Sequence, residues 1–238
     1  MTKGTKRMER KVDGIVFDKD GTLFDFHATW GVWGRQTIEF LAGKHQVSVV
    51  AVAGAIEFDL KENVFLPTSP AIAATNREVA ECIARALPDA SVDDVEQYLM
   101  ISAAEAPLSP AVPLVQFLEG LSSEGIALGV MTNDSEFGAR AHLSSAGVLD
   151  HFDFVAGFDS GFGAKPAPGP LLAFARAAEL DPSRVLMVGD SAHDLIAGRA
   201  AGMQTFGVLT GTATEQDLQP YADAVSPDIG HIPDWLHR

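Results

Sequence analysis

Short unbroken apolar runs alternate with helix-length amphipathic segments over most of the chain. Ile15-Val16-Phe17 is the first such run, with the length and composition of a strand buried on both faces of a parallel sheet. Further runs predict strands over residues 126–131, 152–156, 185–188 and 204–209, with a short last strand near Ala224-Val225. Helical patterns lie between them, over residues 114–121, 137–146, 171–179 and 193–201, and a terminal helix is expected around Trp235. Alternation of this kind predicts an α/β fold with a doubly wound, Rossmann-like parallel sheet and right-handed crossovers.

One block breaks the alternation. From about Asp25 to Ala106 the pattern holds helices and no convincing strand. Trp30, Trp33, Ile38, Phe40 and Leu41 recur at helical spacing, while Gly31 and Gly34 weaken the start of that helix. Ala-rich segments continue over residues 47–58, 71–87 and 92–104, broken by Pro67-Thr68-Ser69-Pro70 and Pro88-Asp89. Ser91 with Asp94 has the form of a helix cap. The expected organisation is a flexible tail at 1–11, a core from 12–25 and 107–238, and an inserted all-helical subdomain at 26–106.

The polar residues that end the strands change the picture. Ligands in open α/β sheets bind beyond the carboxyl ends of the strands. There the first run delivers Asp18 and Asp20, the second Thr132 and Asn133, and the fourth Asp190. Lys165 lies in the loop after the third, whereas the fifth strand ends without such a group. In an extended segment Asp18 and Asp20 share a face, and Lys19 between them points the other way as a structural residue. Adjacent carboxylates repel unless a cation joins them or one holds a proton. An acidic Asp-Gly turn closing a hairpin would account for Asp18 to Gly21 alone, but not for the convergence of several strand ends.

The sets Asp18-Lys19-Asp20-Gly21-Thr22, Thr132-Asn133, Lys165-Pro166 and Gly189-Asp190-Ser191-x-x-Asp194 together resemble the four motifs of the haloacid dehalogenase-like phosphohydrolases, in that family's order. The nearest form is the phosphoglycolate phosphatase and β-phosphoglucomutase-like branch, whose helical cap occupies the place of the insert here. The resemblance implies a Mg²⁺-dependent phosphatase acting on a small phosphorylated metabolite through an aspartyl-phosphate. It makes Asp18 the nucleophile and Asp20 the general acid and base. Mg²⁺ would be held by Asp18, the Asp20 carbonyl, Asp190 and Asp194. Lys165 would neutralise charge, Thr132 and Asn133 would bind the phosphoryl group, and Gly21 would turn the backbone beside it. Within the insert, His27 and Arg35 are the candidates for touching substrate. Asp194 could instead serve the dipole of its helix, and Asn133 could cap the helix that follows it.

Asp20 argues against the dehalogenase branch, where carbon displacement needs no leaving-group proton, and against phosphonate hydrolysis, where a small residue replaces the second acid. A phosphomutase and a catalytically silent binding protein on the same scaffold remain alternatives. The formal net charge of -15 opposes nucleic acid and anionic membrane surfaces, so an anionic substrate needs local attraction. The single cysteine, Cys82, reads as a small buried hydrophobe in a reducing compartment. No apolar run approaches membrane-spanning length and no apolar stretch follows the basic start, so a cytoplasmic location is expected. Oligomeric state is not legible.

Overall fold

The computed structural model describes residues 10–73 and 75–237. In chain order its first elements are β1 (Gly14–Phe17), α1 (Phe26–His45), α2 (Val49–Ala55), β2 (Phe58–Asp59) and β3 (Val64–Phe65). Next come α3 (Pro70–Ala73), α4 (Asn76–Ala84), α5 (Val92–Ala104) and α6 (Leu114–Ser123). The remaining strands are β4 (Ala127–Met131), β5 (Phe154–Ala156), β6 (Val185–Gly189), β7 (Gln204–Val208) and β8 (Ala224–Ser226). Between and after these strands lie α7 (Glu136–Ser145), α8 (Gly169–Ala177), α9 (Ala192–Ala200), α10 (Glu215–Leu218) and α11 (Ile232–Leu236). The described residues divide into two compact units, one of 10–23 with 110–237, the other within Phe24–Ser109.

The first unit is built on a six-stranded sheet in the order β5-β4-β1-β6-β7-β8. Every pairing in it is parallel. All four residues of β1 are buried, as an apolar run flanked by strands and covered by helices requires. Val16, Met131, Phe174 and Met187 lie in one core cluster with helices α8 and α9. The chain leaves β1 and returns to β4 on one side, then crosses to β6 on the other. That reversal makes the carboxyl end of β1 a topological switch point, the place where this architecture binds ligands.

The basic tail read at 1–11 falls largely outside the described residues, and its described end is not free. Arg10 pairs with Asp13 at 3.0 Å, and the Lys11 ammonium lies 4.3 Å from the centre of the Trp235 ring.

The second unit packs its helices around Ile38, Leu41, Val52, Ile83 and Leu99, with Trp30, Trp33 and Cys82 against that cluster. It is not all-helical. Phe58 pairs with Phe65 and Asp59 with Val64 in an antiparallel hairpin of two residues per strand, too short to leave a periodic signal. Its turn includes Asn63 in the left-handed region. Gly31 and Gly34, which look like weak points of α1, are where the hairpin meets it. A Cβ on Gly31 would stand 2.1 Å from the Asn63 carbonyl oxygen, and one on Gly34 would stand 2.8 Å from the Phe58 and Phe65 rings. The expected cap of α5 is present, with the Asp94 amide donating to Ser91 Oγ at 3.0 Å.

Candidate active site

β1 ends in a turn that aims its acids. The Asp18 amide donates to the Val188 carbonyl at 2.8 Å, extending the ladder one residue past β1. The Leu23 amide then donates to the Lys19 carbonyl at 3.0 Å and closes the loop, with Gly21 at φ 75°, where a side chain would be strained. A Cβ on Gly21 would also stand 2.4 Å from Asp190 Oδ2, so the bare backbone is what lets the two strand ends approach.

Asp190 follows β6 directly, and Asp194 lies in the first turn of α9. Asp194 has two tasks. Its Oδ2 accepts from the Ser191 amide at 3.0 Å and from Ser191 Oγ at 2.7 Å, capping the helix. Its Oδ1 lies 2.6 Å from Lys165 Nζ, which also lies 2.7 Å from Asp18 Oδ1. The cap and the site are therefore one arrangement.

Lys165 is delivered by the loop between β5 and α8, and Asn133 holds that loop. Asn133 Nδ2 donates to the Lys165 carbonyl at 3.0 Å, while the Lys165 amide donates to Asn133 Oδ1 at 2.9 Å. Asn133 thus fixes the lysine rather than the following helix, whose cap is Ser135. The buried Thr132 hydroxyl accepts from the Asp134 amide at 3.1 Å and retains its own proton for donation.

Asp18, Asp190 and Asp194 each present an oxygen, all within 4.8 Å of one another. With every group ionised, these three carboxylates and the single Lys165 ammonium sum to a charge of -2 in a buried volume. Burial pushes the Asp18 pKa up to about 7, with the Asp194 charge adding to it and Lys165 opposing it. Burial likewise raises Asp190, again with Asp194 adding. Burial works against the Lys165 charge, but Asp18 and Asp194 outweigh it and hold that pKa above the usual lysine value. A hard divalent cation would supply the missing charge, and an all-carboxylate oxygen set is what such ions prefer. The donor set fits.

Asp20 stands apart from this triad. Its Oδ2 lies 2.7 Å from the Nζ of Lys19, which therefore does not turn away from both acids as strand alternation suggests. The chain has already left the extended conformation there, so alternation no longer applies. His27 and Arg35 belong to the helical unit. His27 is exposed in the first turn of α1, edge-on to Phe26. The Arg35 guanidinium donates within its own unit to Asn63, the Leu60 carbonyl and Glu39.

The loop after β7, which strand-end reasoning passes over, contributes two residues. Thr210 Oγ1 donates to the Gly21 carbonyl at 2.7 Å, and a Cβ on Gly211 would stand 1.7 Å from Asp190 Oδ2. The Gly211 backbone therefore walls one side of the carboxylate. Thr210-Gly211 in the sequence carries only a turn signal, and nothing local marks Asp190 as its neighbour. Gly211→Ala should displace the Asp190 carboxylate and raise the divalent-ion concentration needed to increase thermal stability, by roughly tenfold to a hundredfold. An unchanged ion titration followed by melting temperature would contradict this role.

A parallel sheet with an insert after its first strand, and an acid triad with one lysine at the switch point, define a class that the comparisons identify. The haloacid dehalogenase-like hydrolase family matches residues 12–202, and the chain belongs to that family. A phosphoglycolate phosphatase of Neisseria meningitidis serogroup A is 40% identical over 116 residues, which are 48% of this chain and 49% of that protein. In such matches the chain spans about half the length of the curated relatives. A phosphoglycolate phosphatase of Agrobacterium fabrum is 29% identical over 91% of this chain and 89% of its own length. A solved candidate beta-phosphoglucomutase from Thermotoga maritima shares the fold at a TM-score of 0.72 and 18% identity, covering 94% of this chain and 98% of that one.

Proposed function

We propose that the protein is a Mg²⁺-dependent phosphatase of a small phosphorylated metabolite, with 2-phosphoglycolate the first substrate to test. The observation that carries this reading is the buried Asp18–Lys165–Asp194 ion-pair chain with Asp190 beside it and a second acid, Asp20, two residues from Asp18. The names of the curated relatives support the substrate class.

Asp18 Oδ1 already accepts from the Lys19 amide at 2.6 Å and faces Lys165, so Oδ2 is the oxygen that attacks phosphorus. The phosphorus–oxygen bond to the leaving group breaks as the aspartyl-phosphate forms, and Asp20 gives the departing oxygen its proton. Water then attacks phosphorus while Asp20 takes a proton back, the bond between Asp18 Oδ2 and phosphorus breaks to regenerate the carboxylate, and inorganic phosphate leaves. Lys165 and Thr132 stabilise charge on the phosphoryl oxygens, and Asn133 holds Lys165 in place. Asp18, Asp190 and Asp194, with the Asp20 carbonyl, are the residues that would hold Mg²⁺, which would supply positive charge against the carboxylates and the phosphoryl group. The insert at 26–106 is the part that selects among leaving groups, and the net charge of -15 suits a metabolite rather than nucleic acid. Among the described residues no helix is long and apolar enough to cross a membrane, and a cytoplasmic setting agrees with the lone Cys82.

The test is phosphate release from 2-phosphoglycolate and a panel of phosphorylated metabolites, with Mg²⁺ and with chelator. Release that requires Mg²⁺ and no added bisphosphate is expected. A requirement for a bisphosphate activator would select the phosphomutase, and saturable binding without turnover would select the silent binding protein.

A further inference from the structure

Among the described residues one buried cation, Lys19, has no part in the proposed reaction. Lys19 is fully buried, directly after the nucleophile, and its ammonium has three N–H donors for three acceptors. Asp20 Oδ2 lies at 2.7 Å, His142 Nδ1 at 2.8 Å and Asp134 Oδ2 at 3.3 Å. An ammonium can only donate, so His142 accepts through Nδ1 and, as a neutral ring, carries its proton on Nε2. Burial works against the charge on Lys19, but Asp20 and Asp134 outweigh it, and the group stays an ammonium. Asp134 follows β4 by three residues and His142 lies within α7, so the lysine joins the β1 loop to the neighbouring strand end.

Stability alone is a poor reason for this cluster. A buried ion pair replaced by apolar side chains of similar volume is often neutral or stabilising, because desolvation offsets most of the attraction. The specific consequence of the ammonium here is orientation. It fixes one oxygen of Asp20, a side chain that is otherwise partly exposed at the edge of the site. We infer that Lys19 is a positioning residue for proton transfer, holding the Asp20 carboxyl group where it meets the leaving oxygen. This rests on the reading of Asp20 as the group that protonates that oxygen.

A positioning role differs from a structural one in its dependence on the leaving group. An aryl phosphate expels a weakly basic oxygen and needs little protonation, whereas an alkyl phosphate needs it fully. The experiment compares p-nitrophenyl phosphate with 2-phosphoglycolate for the wild type, Lys19→Met, Asp20→Asn and the double variant, all checked by circular dichroism. Lys19→Met should lower kcat on 2-phosphoglycolate by roughly tenfold to a hundredfold, with KM and the aryl ester changed by less than about threefold. The double variant should match Asp20→Asn, since Lys19 acts through Asp20. Equal losses on both esters, or a full additional loss on top of Asp20→Asn, would overturn the inference. Should Lys19→Met not fold, Asp134→Asn removes one partly exposed acceptor and keeps the lysine. The same selectivity at smaller size is then expected, and a uniform loss or no change counts against the inference. If Asp20→Asn itself depresses both esters equally, or the wild type hydrolyses neither, the reading of Asp20 fails and the inference with it. If Asp20→Asn discriminates and Lys19→Met does not, only the inference fails.

Discussion

Asp18→Asn should abolish phosphate release, by roughly four to six orders of magnitude in kcat, while the protein stays folded. The amide is a poor nucleophile and a weaker ligand than a carboxylate, so chemistry and ion binding fail together. Folding should not suffer. In the ion-free protein Asp18 is a buried carboxyl whose ionisation is opposed by burial and by the Asp194 charge, and this pushes its pKa up to about 7. Above that pH an isosteric neutral side chain removes repulsion, and Lys165 keeps Asp194 as a partner at 2.6 Å. The variant without added ion should therefore melt at or above the wild-type temperature at about pH 8. Measurable turnover of 2-phosphoglycolate by this variant would remove Asp18 from the mechanism. A large fall in its melting temperature would show that the carboxylate is a structural requirement instead.

The second large effect is a pH-dependent response to divalent ions. Without an ion, folded Asp18 keeps its proton to about pH 7, whereas an unperturbed aspartate releases it near 3.8. Asp190 is shifted in the same direction. Between those values the folded state binds more protons than the unfolded state, so this contribution to stability declines as pH rises from about 4 to 7, and is flat beyond. An ion held by the same oxygens must displace those protons. Mg²⁺ should thus stabilise little near pH 5 and strongly near pH 8, reaching about 2.7 kcal/mol at a hundred times its Kd, or roughly 5–10 °C. Asp190→Ala should lose most of that shift. Scanning fluorimetry with Mg²⁺ or chelator at both pH values decides the matter. An equal shift at the two values, or one that survives in Asp190→Ala, would place the ion elsewhere.

What was legible in the chain follows from which signals are local. The strands around the sheet could be read because residues buried on both faces must be apolar, and continuous runs such as Ile15-Val16-Phe17 have no other economical use. Asp18, Asp20, Asp190 and Asp194 could be picked out because carboxylates at the ends of such runs need a reason to be there. The parallel topology then brings Asp18, Asp190 and Asp194 together although more than 170 residues separate the first from the others. Beyond local signals, the chain determined less than its motifs suggest. Strand alternation placed Lys19 away from both acids, yet the turn after β1 brings its ammonium onto Asp20, Asp134 and His142. Gly31 and Gly34 read as helix-weakening until the hairpin they admit is seen, and no local signal shows that the Arg35 guanidinium donates to Asn63 and the Leu60 carbonyl. Asn133 turned out to clamp Lys165, and the unremarkable Thr210-Gly211 closes around Gly21 and Asp190. The sheet and the acids are legible in the chain because burial and charge act on each residue wherever its partners lie. Which donor meets which acceptor, and which backbone must lack a Cβ, emerges with the folded contacts, because a contact of a few ångströms belongs to the pair and neither residue encodes it alone.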